Sequence, residues 1–166
     1  MQFAWAQQTS ARRVYWGESH GRCGFAEGQG TPEAYFRFGR DDAQLDFLTH
    51  SEHDIWVDDS EWQTFIDSVD ECPKKGEFVA TLGYESTAVT VRGGHHNVFF
   101  RDTKDRSRVP NQTAPYLTQL FHRIAAENAK DDVLIIPHAH MPGEYRLSDP
   151  HMETLVDIMP GHSHLE

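Results

Sequence analysis

Cysteine is scarce in this chain: Cys23 and Cys72 stand far apart and outside any C-x-x-C spacing. That excludes a dense disulfide framework and a thiolate zinc cluster, and it leaves isolated thiols as the expectation, with one bridge as the alternative. Basic residues are also in deficit. Against 26 Asp and Glu there are 15 Lys and Arg, a formal net charge of -11, and no Lys/Arg cluster supplies the footprint a phosphodiester backbone requires. Extended nucleic acid is excluded as a partner, whereas a small phosphorylated ligand held through metal is not. No apolar run approaches the roughly 20 residues of a membrane span. GxSxG, P-loop and GxGxxG motifs are missing too, so serine-hydrolase, NTPase and dinucleotide chemistry have no support in the chain.

Histidine is abundant by comparison, with 11 in 166 residues, and imidazole is the commonest protein ligand for metal. The placement matters more than the count. VYWGESH ends at His20, LDFLTHSEHD at His50, Glu52, His53 and Asp54, FVATLGYE at Glu85, and VLIIPHAH at His138 and His140. Apolar segments that repeatedly stop in imidazole or carboxylate describe a metal site assembled from several strand ends.

The length fits one domain with a sizeable core. Residues 1–13 read as either an N-terminal tail or the remnant of a signal peptide: Ala4-Trp5-Ala6 has the small-x-small form of a signal-peptide end, without the basic start or apolar stretch of one. Secretion and a cytoplasmic location stay open. A strand is predicted at Val14–Gly17, then a glycine-rich loop with Glu27, then a helix from Thr31-Pro32-Glu33 to about Asp42, capped by Thr31. Leu45–Thr49 is the next strand. A helix capped by Asp59 or Ser60 presents Trp62, Phe65, Ile66 and Val69 on one face. Phe78–Tyr84 reads as a strand finishing at Glu85, Thr87–Val91 as a short strand, and His95–Phe100 as its partner, with histidines at its start. After a charged loop come a helix over about Ala114–Ala129 and a strand at Val133–Ile136. A helical turn over Pro150–Leu155 and a strand over Leu155–Met159 complete the pattern. Strands alternating with amphipathic helices predict an α/β fold with a mainly parallel sheet, open or closed into a barrel.

The stretch WGESHGRCGFAEGQGTPEAYFRFGRDDAQLDFLTHSEHD resembles the opening of the PHP (polymerase and histidinol phosphatase) superfamily, in particular a branch of large proteins that begin with a WGDLHGxS-type motif. FVATLGYES, GGHHNVFFRD and VLIIPHAH are similar to later segments of that branch, so the likeness runs from Val14 to the end. The resemblance implies an α/β fold, an incomplete distorted (β/α)7 PHP-type barrel over residues 14–166. It further implies two or three divalent metals, zinc, manganese or iron, and hydrolysis of phosphoesters through a metal-bound hydroxide. His20, Glu27, His53, Glu85, His95 and His138 map onto ligand positions, Glu85 as the bridging carboxylate, with His96 and His140 as substitutes for their neighbours. Glu52 takes the place of the acid beside the His53 ligand and is expected to orient an imidazole.

Two departures qualify the match. Arg22 stands where the first motif has its second histidine; a guanidinium cannot ligate but can grip a phosphate or carboxylate. The superfamily's last DxH motif has no clear counterpart, His162 and His164 notwithstanding, and truncation is the simplest account. The residues themselves support the same chemistry: carboxylates bridge and offset charge while imidazoles complete each metal and leave room for water. The expectation is a metal-dependent phosphoesterase, with Arg22 and Glu52 assisting and a small anionic substrate. The alternative is a metal- or ligand-binding module that has lost turnover. His122 and His151 carry no metal signal, and Glu18 and His50 are as readily structural as functional.

Overall fold

The computed structural model describes residues 13–72, 76–138 and 146–157. His140, His162, His164 and the tail before Arg13 lie outside the described residues, as does the far end of the strand expected at Leu155–Met159. Five strands form one mixed sheet in sequential order: β1 (Gly17–Gly21), β2 (Phe47–His50), β3 (Val79–Thr87), β4 (His95–Phe100) and β5 (Val133–Pro137). β1, β2 and β3 run parallel, while β4 is antiparallel to both β3 and β5. The fold is therefore α/β with a mixed rather than mainly parallel sheet.

Local sequence explains the helices. α1 (Pro32–Arg37) starts at Thr31, whose hydroxyl accepts the Ala34 N–H at 3.2 Å, with Pro32 in the first turn. The expected helix does not continue regularly to Asp42; it widens into a π-helical turn over Phe38–Asp42, where buried Gly39 packs on Leu48. α2 (Asp59–Glu71) is capped one residue earlier than the sequence indicated. Asp58 accepts from Ser60 and Glu61, and the Glu61 carboxylate returns to the Asp58 N–H at 2.8 Å, a complete capping box. α3 (Leu117–Glu127) buries Leu117, Leu120, Phe121 and Ile124 as its spacing requires.

Three strand assignments shift. Val14, Tyr15 and Trp16 are exposed and precede β1, which instead carries Glu18 and His20 within it. β3 extends through Thr87, and the short strand expected at Thr87–Val91 is replaced by a 3-10 turn over Thr90–Arg92. That turn makes β3, not a separate strand, the partner of β4. Near the end of the described chain only Asp157 pairs, in an isolated parallel bridge with His138.

Strand alternation divides the sheet into two faces. Leu48, Leu82, Tyr84, Val98, Phe100, Val133 and Ile135 face the helices and join Trp62, Phe65 and Leu120 in the core. Residues of opposite parity, Glu85, His95 and His138 among them, face the other way. The sheet curls strongly. A flat five-stranded sheet would hold its edge strands roughly 19 Å apart, yet the rings of His20 in β1 and His138 just after β5 approach to 4.4 Å between centroids.

Candidate metal centre

Antiparallel pairing of β3 and β4 resolves why one pair of histidines begins a strand while the others end one. Thr87 lies opposite His95 and Glu85 opposite Asn97, so the start of β4 meets the end of β3. His138 donates its backbone N–H to the His95 carbonyl at 3.1 Å, and His53 forms a parallel bridge with Glu85. Ends of β1, β2, β3 and β5 and the start of β4 therefore share one edge.

Glu85 is the centre of what gathers there. Its carboxylate is 1% exposed. Oε1 lies 2.5 Å from His95 Nδ1, 3.6 Å from His138 Nδ1 and 3.7 Å from His53 Nδ1, while Oε2 lies 3.4 Å from His20 Nε2 and pairs with the Arg22 guanidinium. Burial pushes the Glu85 carboxyl up, but hydrogen bonds from His20 and His95, with the charges of Arg22 and His138, outweigh it and hold the group well below the usual carboxylate range. Glu85 is thus an anion fixed in a low-dielectric pocket.

The imidazoles are oriented by neighbours. Thr87 Oγ1 donates to the Glu85 carbonyl at 3.3 Å and stands 2.7 Å from His53 Nδ1, which makes Nδ1–H the donor and leaves the lone pair on Nε2, facing Glu27 Oε2 at 3.7 Å. Burial lowers the His53 pKa, favouring that neutral form. His20 Nδ1 meets Asp157 Oδ2 at 3.2 Å. Glu27 is the exposed acid of the cluster, at 44%.

Two groups of three are spaced to hold an ion: His20, His138 and Asp157, and His53, Glu85 and His95, with the ligand atoms of each within 4.8 Å of one another. Of the six residues assigned to metal from the sequence, His20, His53, Glu85, His95 and His138 fall in these two groups, whereas Glu27 stands beside them, 3.7 Å from His53 Nε2 and outside both. Asp157 was missed. It sits in an apolar stretch, Leu155–Met159, whose one carboxylate was the only available signal. Thr87 was missed as well, since a hydroxyl behind an imidazole has no sequence signature.

Other assignments resolve differently. Glu52 is fully buried, but its Oε1 accepts the Cys23 N–H at 2.5 Å instead of orienting an imidazole, so it ties the loop after β1 to the loop after β2. Burial raises its pKa. The Arg22 side chain is also buried, donating to Ser51 O and to Glu85, with its Nε 3.3 Å from Glu27 but not hydrogen-bonded to it, so it grips the Glu85 carboxylate. His50 and His96 have core parity. His50 stacks on Phe65 at 3.6 Å, and desolvation drops its pKa to about 3; His96 faces Glu153 at 3.3 Å. Both cysteines are free and buried, and desolvation lifts the Cys23 thiol to about 12, so neither is poised as a nucleophile.

Residues 26–142 match the family model described as protein of unknown function, DUF3604. The chain belongs to the DUF3604 family. Glu27, His53, Glu85, His95 and His138 fall inside the DUF3604 match, whereas His20, Arg22 and Asp157 flank it. Among solved structures, the chain is similar to a two-domain protein from Bacteroides vulgatus containing a predicted PHP-like metal-dependent phosphoesterase, with a TM-score of 0.50 and 12% identity over 75% of this chain. The match spans 35% of that protein's length, and at this identity it shows a shared fold. A Bifidobacterium adolescentis protein, provisionally described as a metal-dependent phosphoesterase, aligns at 21% identity over 55% of this chain and 29% of that one, with a TM-score of 0.36. No curated protein matches the chain. Among the described residues, no helix is long and apolar enough to cross a membrane.

Proposed function

We propose that this DUF3604 chain forms the catalytic part of a metal-dependent hydrolase, a phosphoesterase acting on a small anionic substrate. The observation that carries this reading is the buried Glu85 carboxylate, enclosed by His20, His53, His95 and His138 from four separate segments. Imidazole and carboxylate donors suit zinc, manganese or iron. His20, His138 and Asp157 would hold one ion and His53, Glu85 and His95 another. Bound there, the ions would supply an activated water at neutral pH and offset charge on a phosphoryl oxygen.

The chain's own groups do the rest. Glu85 provides the central negative charge, and Thr87 fixes the His53 tautomer. Glu27 is the most exposed acid of the cluster, at 44%, and marks the side on which substrate would enter. Glu52 acts indirectly, by fixing the loop that carries Arg22. The same reading takes the curled sheet as part of an incomplete, distorted (β/α)7 PHP-type barrel and residues 14–166 as one hydrolase domain; the contact between His20 and His138 supports the curvature this needs.

A second reading, a metal- or ligand-binding module without turnover, is favoured by one feature: Arg22 occupies a candidate ligand position and pairs with Glu85. Purified protein loaded with Mn2+ or Zn2+ and assayed on p-nitrophenyl phosphate mono- and diesters, with Glu85→Gln as control, separates the two. Turnover that disappears in the variant together with bound metal is the expected result. Bound metal without turnover selects the binding module, and absence of bound metal removes both.

A further inference from the structure

The position of Arg22 carries a consequence for how many cations the site accepts. β-strand alternation and the bulge between Glu18 and Gly21 bring His20 and Arg22 to the same edge of Glu85. One guanidinium nitrogen, Nη2, hydrogen-bonds Glu85 Oε2 and lies 3.4 Å from His20 Nε2, while Nε reaches Glu27 Oε2 at 3.3 Å. The third nitrogen, Nη1, donates to the Ser51 carbonyl. His20 Nε2 and Glu85 Oε2 are themselves 3.4 Å apart. Two ligands on a tetrahedral ion with bonds of about 2.0–2.2 Å are separated by roughly 3.3–3.6 Å, so these two atoms already have the spacing of neighbours on one metal. The nitrogen of Arg22 lies within reach of both.

We propose that the Arg22 guanidinium is a built-in cation that fills a metal position between His20, Glu27 and Glu85. This rests on the reading of the cluster as a metal site and adds to it that one cation of the site is covalently supplied by the chain. Side-chain exposures of only 7% for Arg22 and 1% for Glu85 mean that the pair is held in a low-dielectric setting, where an uncompensated carboxylate is costly. A permanent +1 charge removes the need for an ion at this position and holds the carboxylates in place in metal-free protein. Replacing it with histidine supplies a third ligand beside His20 and Glu85 and removes the competing cation.

The test compares wild type with Arg22→His and Arg22→Lys, using Mn2+ alone as probe, by thermal melting with and without EDTA and by elemental analysis after desalting. Arg22→His should gain a metal-induced rise in Tm beyond that of wild type, by about 5–10 °C at a metal concentration 100-fold above Kd. Arg22→Lys, which keeps a cation at the position, should follow wild type. If Arg22→His is unfolded without metal, recovery of its far-UV circular dichroism on adding Mn2+ is the same gain, and a chain that stays unfolded with metal overturns the proposal. Wild type that binds Mn2+ while Arg22→His gains nothing overturns the Arg22 inference alone. A Lys variant that gains as much as the His variant also overturns it. Metal bound by Arg22→His but not by wild type upholds the inference and removes the metal reading of the native cluster, and absence of metal from both removes the two together.

Discussion

Glu85→Gln in metal-free protein is the most direct perturbation, because it removes one charge while nearly preserving shape. The wild-type carboxylate is 1% exposed and faces an Arg22 side chain that is 7% exposed. Truncating one partner of such a buried pair leaves the other charge uncompensated, at a cost of about 3–5 kcal/mol. With a urea m-value of about 2 kcal/mol/M, the unfolding midpoint in EDTA at pH 7 should fall by about 1.5–2.5 M. The pH dependence supplies an independent check. Glu85 has a folded pKa below its unfolded value of about 4.3, so its contribution is fully present above that pH. As pH falls through about 4.3 the unfolded chain takes up the proton first, and the contribution declines by up to about 1.4 kcal/mol per pH unit until the folded carboxyl also protonates. Wild type and variant should therefore converge in acid. Equal midpoints at pH 7, or a gap that persists undiminished at pH 2.5, would refute the claim that Glu85 is held as a buried anion by Arg22 and the histidines.

His50 is neutral, buried and stacked on Phe65, with a folded pKa of about 3, so the unfolded chain binds its proton first as pH falls below about 6.5 and stability is lost over that window; His50→Phe should flatten the acid limb of stability measured by urea titration between pH 4 and 7. Gly93 has φ of 129° and no room for a Cβ against Leu117 at the start of α3; Gly93→Ala should cost at least about 1 kcal/mol, read as a lower Tm. Asp157→Asn should weaken Mn2+ or Zn2+ affinity by at least about 10–100-fold by removing the anionic donor of the His20–His138–Asp157 group, as titration calorimetry would show. Asp58→Ala removes both acceptor contacts of the α2 capping box and should lower stability by about 1 kcal/mol without changing bound metal.

The candidate site was more legible than the sheet that builds it. His53, Glu85 and His138 each close an apolar run, and a run that ends in a ligand is visible without knowing its neighbours. The direction of β4 was not visible. A strand reads the same way forward or backward in hydrophobicity, and the turn at Thr90–Arg92, with positive φ at Gly93 and Gly94, is what reverses the chain. Parity decided the fate of two more histidines. In LDFLTHSEHD and GGHHNVFF the residues His50 and His96 stand close to His53 and His95 and read as readily structural as functional; alternation turns them away from Glu85, one onto Phe65 and the other onto Glu153.

By itself the sequence determined the alternation of strands and amphipathic helices, the caps near Thr31 and Asp58, and the candidate donor set, because these depend on local spacing and on the chemistry of single side chains. Tertiary structure alone decided that the sheet is mixed and curled, that Asp157 joins His20 from 137 residues away, that Glu52 serves the Cys23 loop, and that Arg22 is spent on Glu85 and the Ser51 carbonyl. Those outcomes turn on which buried charge finds which partner, and such pairing is settled by distances across the fold that no pattern along the chain encodes.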